Sequence, residues 1–276
     1  MALSINSSTG VIDTSASTAG TYTVIYTTDE GVATTQVTIE ECFANAYSVN
    51  FDGVNDRMDI SDADSFSFGN GTSDSAFSIS AWIKTTVGTG RGIISKWGSG
   101  GYEWIFWIAG PNKLRLTLND NSTSVYQIRA GTTDLNTGNW THVVATYDGR
   151  GGSTANQGIK LYIDGEEESS YTDLSSGTYV AMHNTSRIVQ IGSYNNAAFW
   201  TGNIDEIGVF NAELSASDVT NIYNSGSPAD LSTYTSLVHY YRMGDGDSYP
   251  IITDNEGSSN AVMQNMASGD IETDVP

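Results

Sequence analysis

The chain has 276 residues, with 32 acidic against 11 basic side chains and a formal charge of −21 at neutral pH. Such a balance argues against nucleic acid or an anionic membrane as partner, since both reward clustered lysine and arginine; it suits a well-solvated acidic surface, loop carboxylates that collect Ca²⁺, or both. With 29 Gly, 15 Tyr and 6 Trp and few sustained runs of Ala, Leu, Glu and Lys, the composition favours short strands joined by turns, and the length suits one main β domain with small appendages.

Cys42 is the only cysteine, which excludes an intrachain disulfide and a thiolate metal cluster; beside Phe43 it reads as a small buried hydrophobe. No 18-residue apolar window exists, so no membrane insertion by a helix is expected. The start, Met1-Ala2-Leu3-Ser4, has neither the basic nor the apolar region of a secretion signal. The expectation is a protein that reaches the outside by another route, such as virus assembly, or an excised piece of a longer chain.

Residues 1–41 carry three period-two segments separated by Gly and Asp turns: 4–13, 20–26 with Gly20-Thr21-Tyr22-Thr23-Val24, and 33–39 with Gln36-Val37-Thr38-Ile39. They resemble the last strands of the immunoglobulin-like repeats of bacterial surface proteins. A full sandwich of that kind needs about seven strands and about 100 residues, so this segment is expected to pack on the main domain, on a copy of itself, or on a scaffold protein that supplies missing strands.

Six blocks follow in order. They are Val49-Asn50-Phe51-Asp52-Gly53, Phe77-Ser78-Ile79-Ser80-Ala81-Trp82-Ile83-Lys84, Gly92-Ile93-Ile94-Ser95-Lys96, Trp140-Thr141-His142-Val143-Val144-Ala145-Thr146-Tyr147, Ile159-Lys160-Leu161-Tyr162-Ile163-Asp164-Gly165, and Trp200-Thr201-Gly202-Asn203-Ile204-Asp205-Glu206-Ile207. Alternation puts Phe77, Ile79, Ala81 and Ile83 on one face and Trp82 on the other; Trp82 and Trp140 are assigned to the core. Asp164-Gly165 is a two-residue hairpin turn. Ser215 and Asp218 form a capping box with a Leu214–Val219 staple, opening the one short helix expected.

In this succession the six blocks resemble laminin-G-like domains of the concanavalin A-like superfamily. The resemblance implies an all-β fold: a two-sheet antiparallel jelly-roll sandwich over residues 45–265, with a small N-terminal β segment before it. The segment from Leu237-Val238-His239-Tyr240-Tyr241 to residue 265 looks like the one that usually opens such a domain. It is expected to close the sandwich as in a circular permutation, leaving 266–276 as a tail; the alternative is the start of a second domain.

Three chemistries are weighed. The resemblance sets the strands of Asp52 and Asp205 side by side, where Asp52, Asp205 and Asp56 or Asn55 could hold a structural Ca²⁺; otherwise Asp205 is a buried acceptor and Asp52 fixes a turn. A carbohydrate surface is suggested by Tyr102, Trp104, Trp107, Tyr194, Phe199 and Trp200 with Asn195, because sugar rings stack on aromatic faces while amides read their hydroxyls; the competing reading of each ring is core packing. A polysaccharide hydrolase would need two carboxylates on one strand; against the resembling enzymes, Asn203 stands where the first would be and Gly208 near the second. The chain is therefore read as a non-catalytic glycan-binding or attachment module, extracellular or on a virion surface, with a purely structural virion protein as the alternative.

Overall fold

The computed structural model describes residues 3–13, 17, 20–28, 31–39, 44–86 and 90–276. Cys42, expected to be buried, lies outside them. The chain divides into two compact units, Met1–Ala44 and Asn45–Pro276.

In the first unit β1 (Gly20–Thr28) and β2 (Gly31–Ile39) pair antiparallel, with Tyr22 opposite Val37 and Val24 opposite Thr35. Tyr22, Val24 and Val37 are half-buried, whereas Ile25, Tyr26 and Val32 are 63 to 68 % exposed. Residues 4–13, expected as a strand, instead form a turn closed by an Ile5–Ile12 bridge, because the Asn6 side chain accepts the amides of Ser8 and Thr9 and so competes with a ladder.

The second unit is the sandwich. Its strands are β3 (Ser48–Asp52), β4 (Arg57–Ile60), β5 (Phe77–Lys84), β6 (Arg91–Gly98), β7 (Gly101–Ala109), β8 (Lys113–Asp120), β9 (Val125–Ala130) and β10 (Thr141–Tyr147). They continue with β11 (Ile159–Ile163), β12 (Glu166–Glu167), β13 (Thr172–Ser175), β14 (Val189–Ile191), β15 (Thr201–Phe210), β16 (Leu237–Tyr241), β17 (Ile251–Ile252), β18 (Ala261–Gln264) and β19 (Ile271–Glu272). One sheet runs β12-β11-β10-β5-β15-β3-β19 with β16 also beside β15; the other runs β13-β9-β8-β7-β6-β14-β4-β18-β17, and the ladders are antiparallel.

The period-two pattern of β5 sends Phe77, Ile79, Ala81 and Ile83 between the sheets, where they meet Trp104, Phe106 and Ile108 of β7 and Leu114, Leu116 and Leu118 of β8. At the β11–β12 turn Asp164 and Gly165 adopt φ of 50° and 82°, and a Cβ on Gly165 would stand 2.9 Å from the Tyr223 ring, so only glycine fits.

Trp82 leaves the other face of β5 and is covered by α1 (Ala216–Tyr223): its ring stacks on Tyr223 at 5.8 Å and tilts against His142 at 5.1 Å. Ser215 caps α1, its hydroxyl accepting the Asp218 amide while the Asp218 carboxylate accepts the Ser215 amide. Burial pushes His142 down to about 3, a measure of how thoroughly the helix and its loop seal this part of the eight-stranded sheet.

The C-terminal segment returns into the sandwich. β16 lies along Ile207–Phe210 of β15, end to end with β3, which lies along Thr201–Ile204. Residues 266–276, expected as a tail, add β19 to β3, and Asp274 accepts from Lys84 at 2.6 Å and from the Trp140 indole at 3.1 Å. Trp140 is consequently half-buried at this edge and not a core ring.

Candidate functional site

With the outer face of one sheet capped by α1, the outer face of the nine-stranded sheet is the one that meets solvent with large rings. Alternation on β7 sends Trp104, Phe106 and Ile108 inward and Ile105 and Trp107 outward. Register then builds a row across four strands, Ser95–Ile105–Thr117–Ile128, flanked by the row Gly92–Trp107–Arg115–Ala130. From these rows Ile105, Thr117, Ile128 and Trp107, together with Trp97, Tyr126 and Tyr194, line an apolar groove of about 230 Å³. That is below the roughly 300–1,000 Å³ of enclosed small-molecule pockets, so this is a shallow surface groove with room for no more than a short stretch of a ligand.

The rings are held in place. The Trp107 indole donates to Thr117 Oγ1 at 3.0 Å and meets Tyr194 edge-on at 5.6 Å, and the Arg115 guanidinium lies 5.7 Å from its centroid. Trp97 meets Tyr102 edge-on at 5.1 Å. The loop 193–199 that brings Tyr194 over Gly92 uses left-handed Asn195, Asn196 and Ala198. It is anchored from beneath by Gln190, fully buried, whose amide donates to Asp59 and Asn196 and accepts from the Asn196 backbone and Arg187. Asn195 joins the loop to β6, accepting from the Ser99 amide and donating its own amide to the Trp97 carbonyl.

The aromatic residues singled out from sequence therefore separate. Trp107 and Tyr194 line the groove, Tyr102 stands behind Trp97 at its end, and Asn195 sits exposed on its rim. Phe199 is half-buried, does not line the groove, and offers its carbonyl to Arg91. Trp104 and Trp200 correct the expectation: both are 0 % exposed and belong to the core, Trp104 donating to the Phe66 carbonyl at 2.8 Å, so neither presents a face to a ligand. Residues 102–107 are apolar on both parities, and the sequence pattern alone does not say which parity meets water. Trp97, Ile105, Arg115, Thr117, Tyr126 and Ile128 were not singled out; their signal was the cross-strand register, invisible until the pairing of β6 to β9 is known.

The aspartates separate as well. Asp52 lies opposite Thr201, four residues along β15 from Asp205, which at about 3.3 Å per residue is about 13 Å. Asp52 caps the amides of Val54 and Asn55, Asp56 accepts the Asp52 amide at 2.9 Å, and Asp205, 0 % exposed, accepts from Asn45 and the Glu206 amide. Asp205 is thus set apart from Asp52 and Asp56, which lie beside each other, and each of the three carboxylates accepts a backbone amide. Among the described residues no group of three or more His, Cys, Asp or Glu side chains stands together as a metal would need.

Asp205 and Glu206, the adjacent carboxyls nearest a hydrolase motif, face no cleft. Glu206 is 2 % exposed and accepts the Tyr240 hydroxyl, and burial pushes it up to about 7; burial, then the charge of Glu206, raise Asp205 well above the usual range. In a second hollow, lined by Glu166, Glu167, Glu168, Thr133, Ile163 and Ser169, the Glu168 carboxylate accepts the amides and hydroxyls of Thr132 and Thr133.

Residues 52–220 match the concanavalin A-like lectin/glucanases superfamily, and the chain belongs to that family. No curated protein sequence matches it. Among solved structures it is similar to a suspected carbohydrate binding protein from Bacteroides ovatus, at 18 % identity and a TM-score of 0.57 over 94 % of this chain and 70 % of that one. It is also similar to a heptameric pentraxin from Limulus polyphemus, at 14 % identity and a TM-score of 0.48 over 83 % of this chain and 100 % of that one. A third similarity is to domain 4 of an extracellular arabinanase from Geobacillus stearothermophilus, solved with arabinotriose, at 19 % identity and a TM-score of 0.43 over 67 % of this chain and 83 % of that one.

Proposed function

We propose that this chain is a non-catalytic carbohydrate-binding module that holds a short stretch of glycan in the Trp97–Trp107–Tyr126–Tyr194 groove. The observation that carries the reading is a set of half-exposed aromatic rings fixed on a rigid sheet face. A sugar ring presents flat patches of C–H that displace poorly bound water from such faces, and a preformed site loses little entropy on binding. The likeness in fold to a suspected carbohydrate binding protein supports the reading.

The setting proposed with it is an extracellular or virion-surface adhesion assembly. The hairpin β1–β2 supports this in one respect: a two-stranded sheet is marginal alone, and its exposed Ile25, Tyr26 and Val32 favour attachment to a scaffold protein or to another copy. Affinity electrophoresis of the wild type and Trp107→Ala through gels containing neutral and acidic polysaccharides tests the glycan reading. Retardation of the wild type that Trp107→Ala loses, with unchanged circular dichroism, is expected. Wild-type migration unaffected by every polysaccharide would leave a purely structural protein.

A further inference from the structure

We infer that the saccharide taken by the groove is anionic, carrying a carboxylate or sulfate group that the arginines around the groove receive. This rests on the groove being the glycan site and concerns which glycan it selects.

The starting point is how the few cations of this acidic chain are used. Of 11 lysines and arginines, seven lie within 4.0 Å of a carboxylate: Arg57, Lys84, Lys96, Arg129, Arg150, Lys160 and Arg242. The other four, among the described residues, are Arg91, Lys113, Arg115 and Arg187. With three acids available for each base, leaving four cations with no carboxylate within 4.0 Å is unexpected, and their placement is not scattered. Arg115 lies over the Trp107 ring, and Lys113 is two residues before it, on the same parity of β8. Arg91 donates to the Phe199 carbonyl under the loop that carries Tyr194; burial raises the Tyr194 hydroxyl above its ordinary value, and the nearby Arg91 charge opposes that shift. Arg187 packs where a Cβ on Gly98 would be, next to Trp97, at the other end of the groove.

The hydrogen bonding of the three arginines is incomplete. Arg115 donates to the Gly110 carbonyl, Arg91 to the Phe199 carbonyl and Arg187 to Gln190, and the Nε of each is buried without a partner. Burial disfavours the charged forms of Arg115 and Arg187. A planar guanidinium partly stripped of water, hydrogen-bonded to a neutral carbonyl and set over an aromatic ring, as Arg115 is, gains most from a carboxylate or sulfate oxygen pair; Arg187, bonded to Gln190, also feels the charge of Asp59. A neutral sugar would satisfy the rings and leave these donors as they are. The overall charge of −21 repels a long polyanion, so the preference should be sharpest for short oligosaccharides.

The test is isothermal titration of wild type, Arg115→Lys, Arg187→Gln and Trp107→Ala with trigalacturonate and its methyl ester, and with a sulfated disaccharide and its unsulfated parent. Arg150→Gln, whose arginine is paired with Asp148, serves as the control. The expected result is binding of an anionic form roughly tenfold or more tighter than its neutral partner. That preference should shrink in Arg115→Lys or Arg187→Gln, with circular dichroism unchanged, and persist in Arg150→Gln. The arm in which it appears identifies carboxylate or sulfate. Equal binding of charged and neutral partners, abolished by Trp107→Ala, would overturn the inference and keep the groove; a preference untouched by either arginine variant would also overturn it. No binding of any saccharide would overturn both.

Discussion

Replacing Glu206 with Gln tests how the back of β15 is held. Glu206 is 2 % exposed, and burial pushes its carboxyl up to about 7 against the opposing pull of the Tyr240 hydroxyl and the Arg242 guanidinium. A carboxyl whose folded pKa is raised binds its proton more tightly in the fold than in the unfolded chain. Its stabilisation is full below the unfolded value of 4.5 and is lost as pH climbs through about 7. At about 1.4 kcal/mol per pKa unit this interval corresponds to about 3 kcal/mol. For a domain of this size that is on the order of 6–12 °C in Tm. Asp205, raised in the same direction, adds to the slope. Melting curves at pH 5, 6, 7 and 8 should show the wild type losing stability across the range. Glu206→Gln, which still accepts the Tyr240 hydroxyl and carries no titrating proton, should be markedly flatter. Parallel slopes for the two proteins would refute the placement of Glu206 as a desolvated carboxyl.

Further outcomes follow from the same geometry. Trp104→Ala removes a core ring and should cost about 3–5 kcal/mol, whereas Trp107→Ala, half-exposed, should melt within a few degrees of wild type; chemical denaturation separates them. Ser215→Ala removes the α1 cap and should cost about 1 kcal/mol by the same assay. Because Asp52, Asp56 and Asp205 are spent on separate amides, adding Ca²⁺ or a chelator should leave Tm unchanged; a rise with Ca²⁺ would restore the calcium reading. Lys96, buried between Asp62 and Glu103, should tolerate no truncation: Lys96→Ala leaves Glu103 buried and uncompensated, costing about 3–5 kcal/mol.

The sandwich is legible in the sequence because its signals are local. The alternation of Phe77, Ile79, Ala81 and Ile83, the Asp164-Gly165 turn and the Ser215–Asp218 box each need only neighbours in the chain. The site is less legible because its signals are not local. Whether Trp104 or Trp107 faces water depends on which side of β7 the other sheet occupies. Whether Trp82 is covered depends on α1, more than 130 residues later. Asp52 and Asp205 lie on paired strands, but a ladder register of Asp52 to Thr201 keeps them apart, and nothing in either motif specifies that offset. Ring-rich segments thus pointed to the right strands, and the choice of ring within them awaited the fold.

The central claim is that glycan binds on the outer face of the nine-stranded sheet, and the six tryptophan indoles report on it directly. In a titration followed by the indole N–H resonances, added oligosaccharide should shift Trp97 and Trp107 and leave the buried Trp104 and Trp200 in place. Shifts confined to other indoles, or none at saturating oligosaccharide, would contradict it.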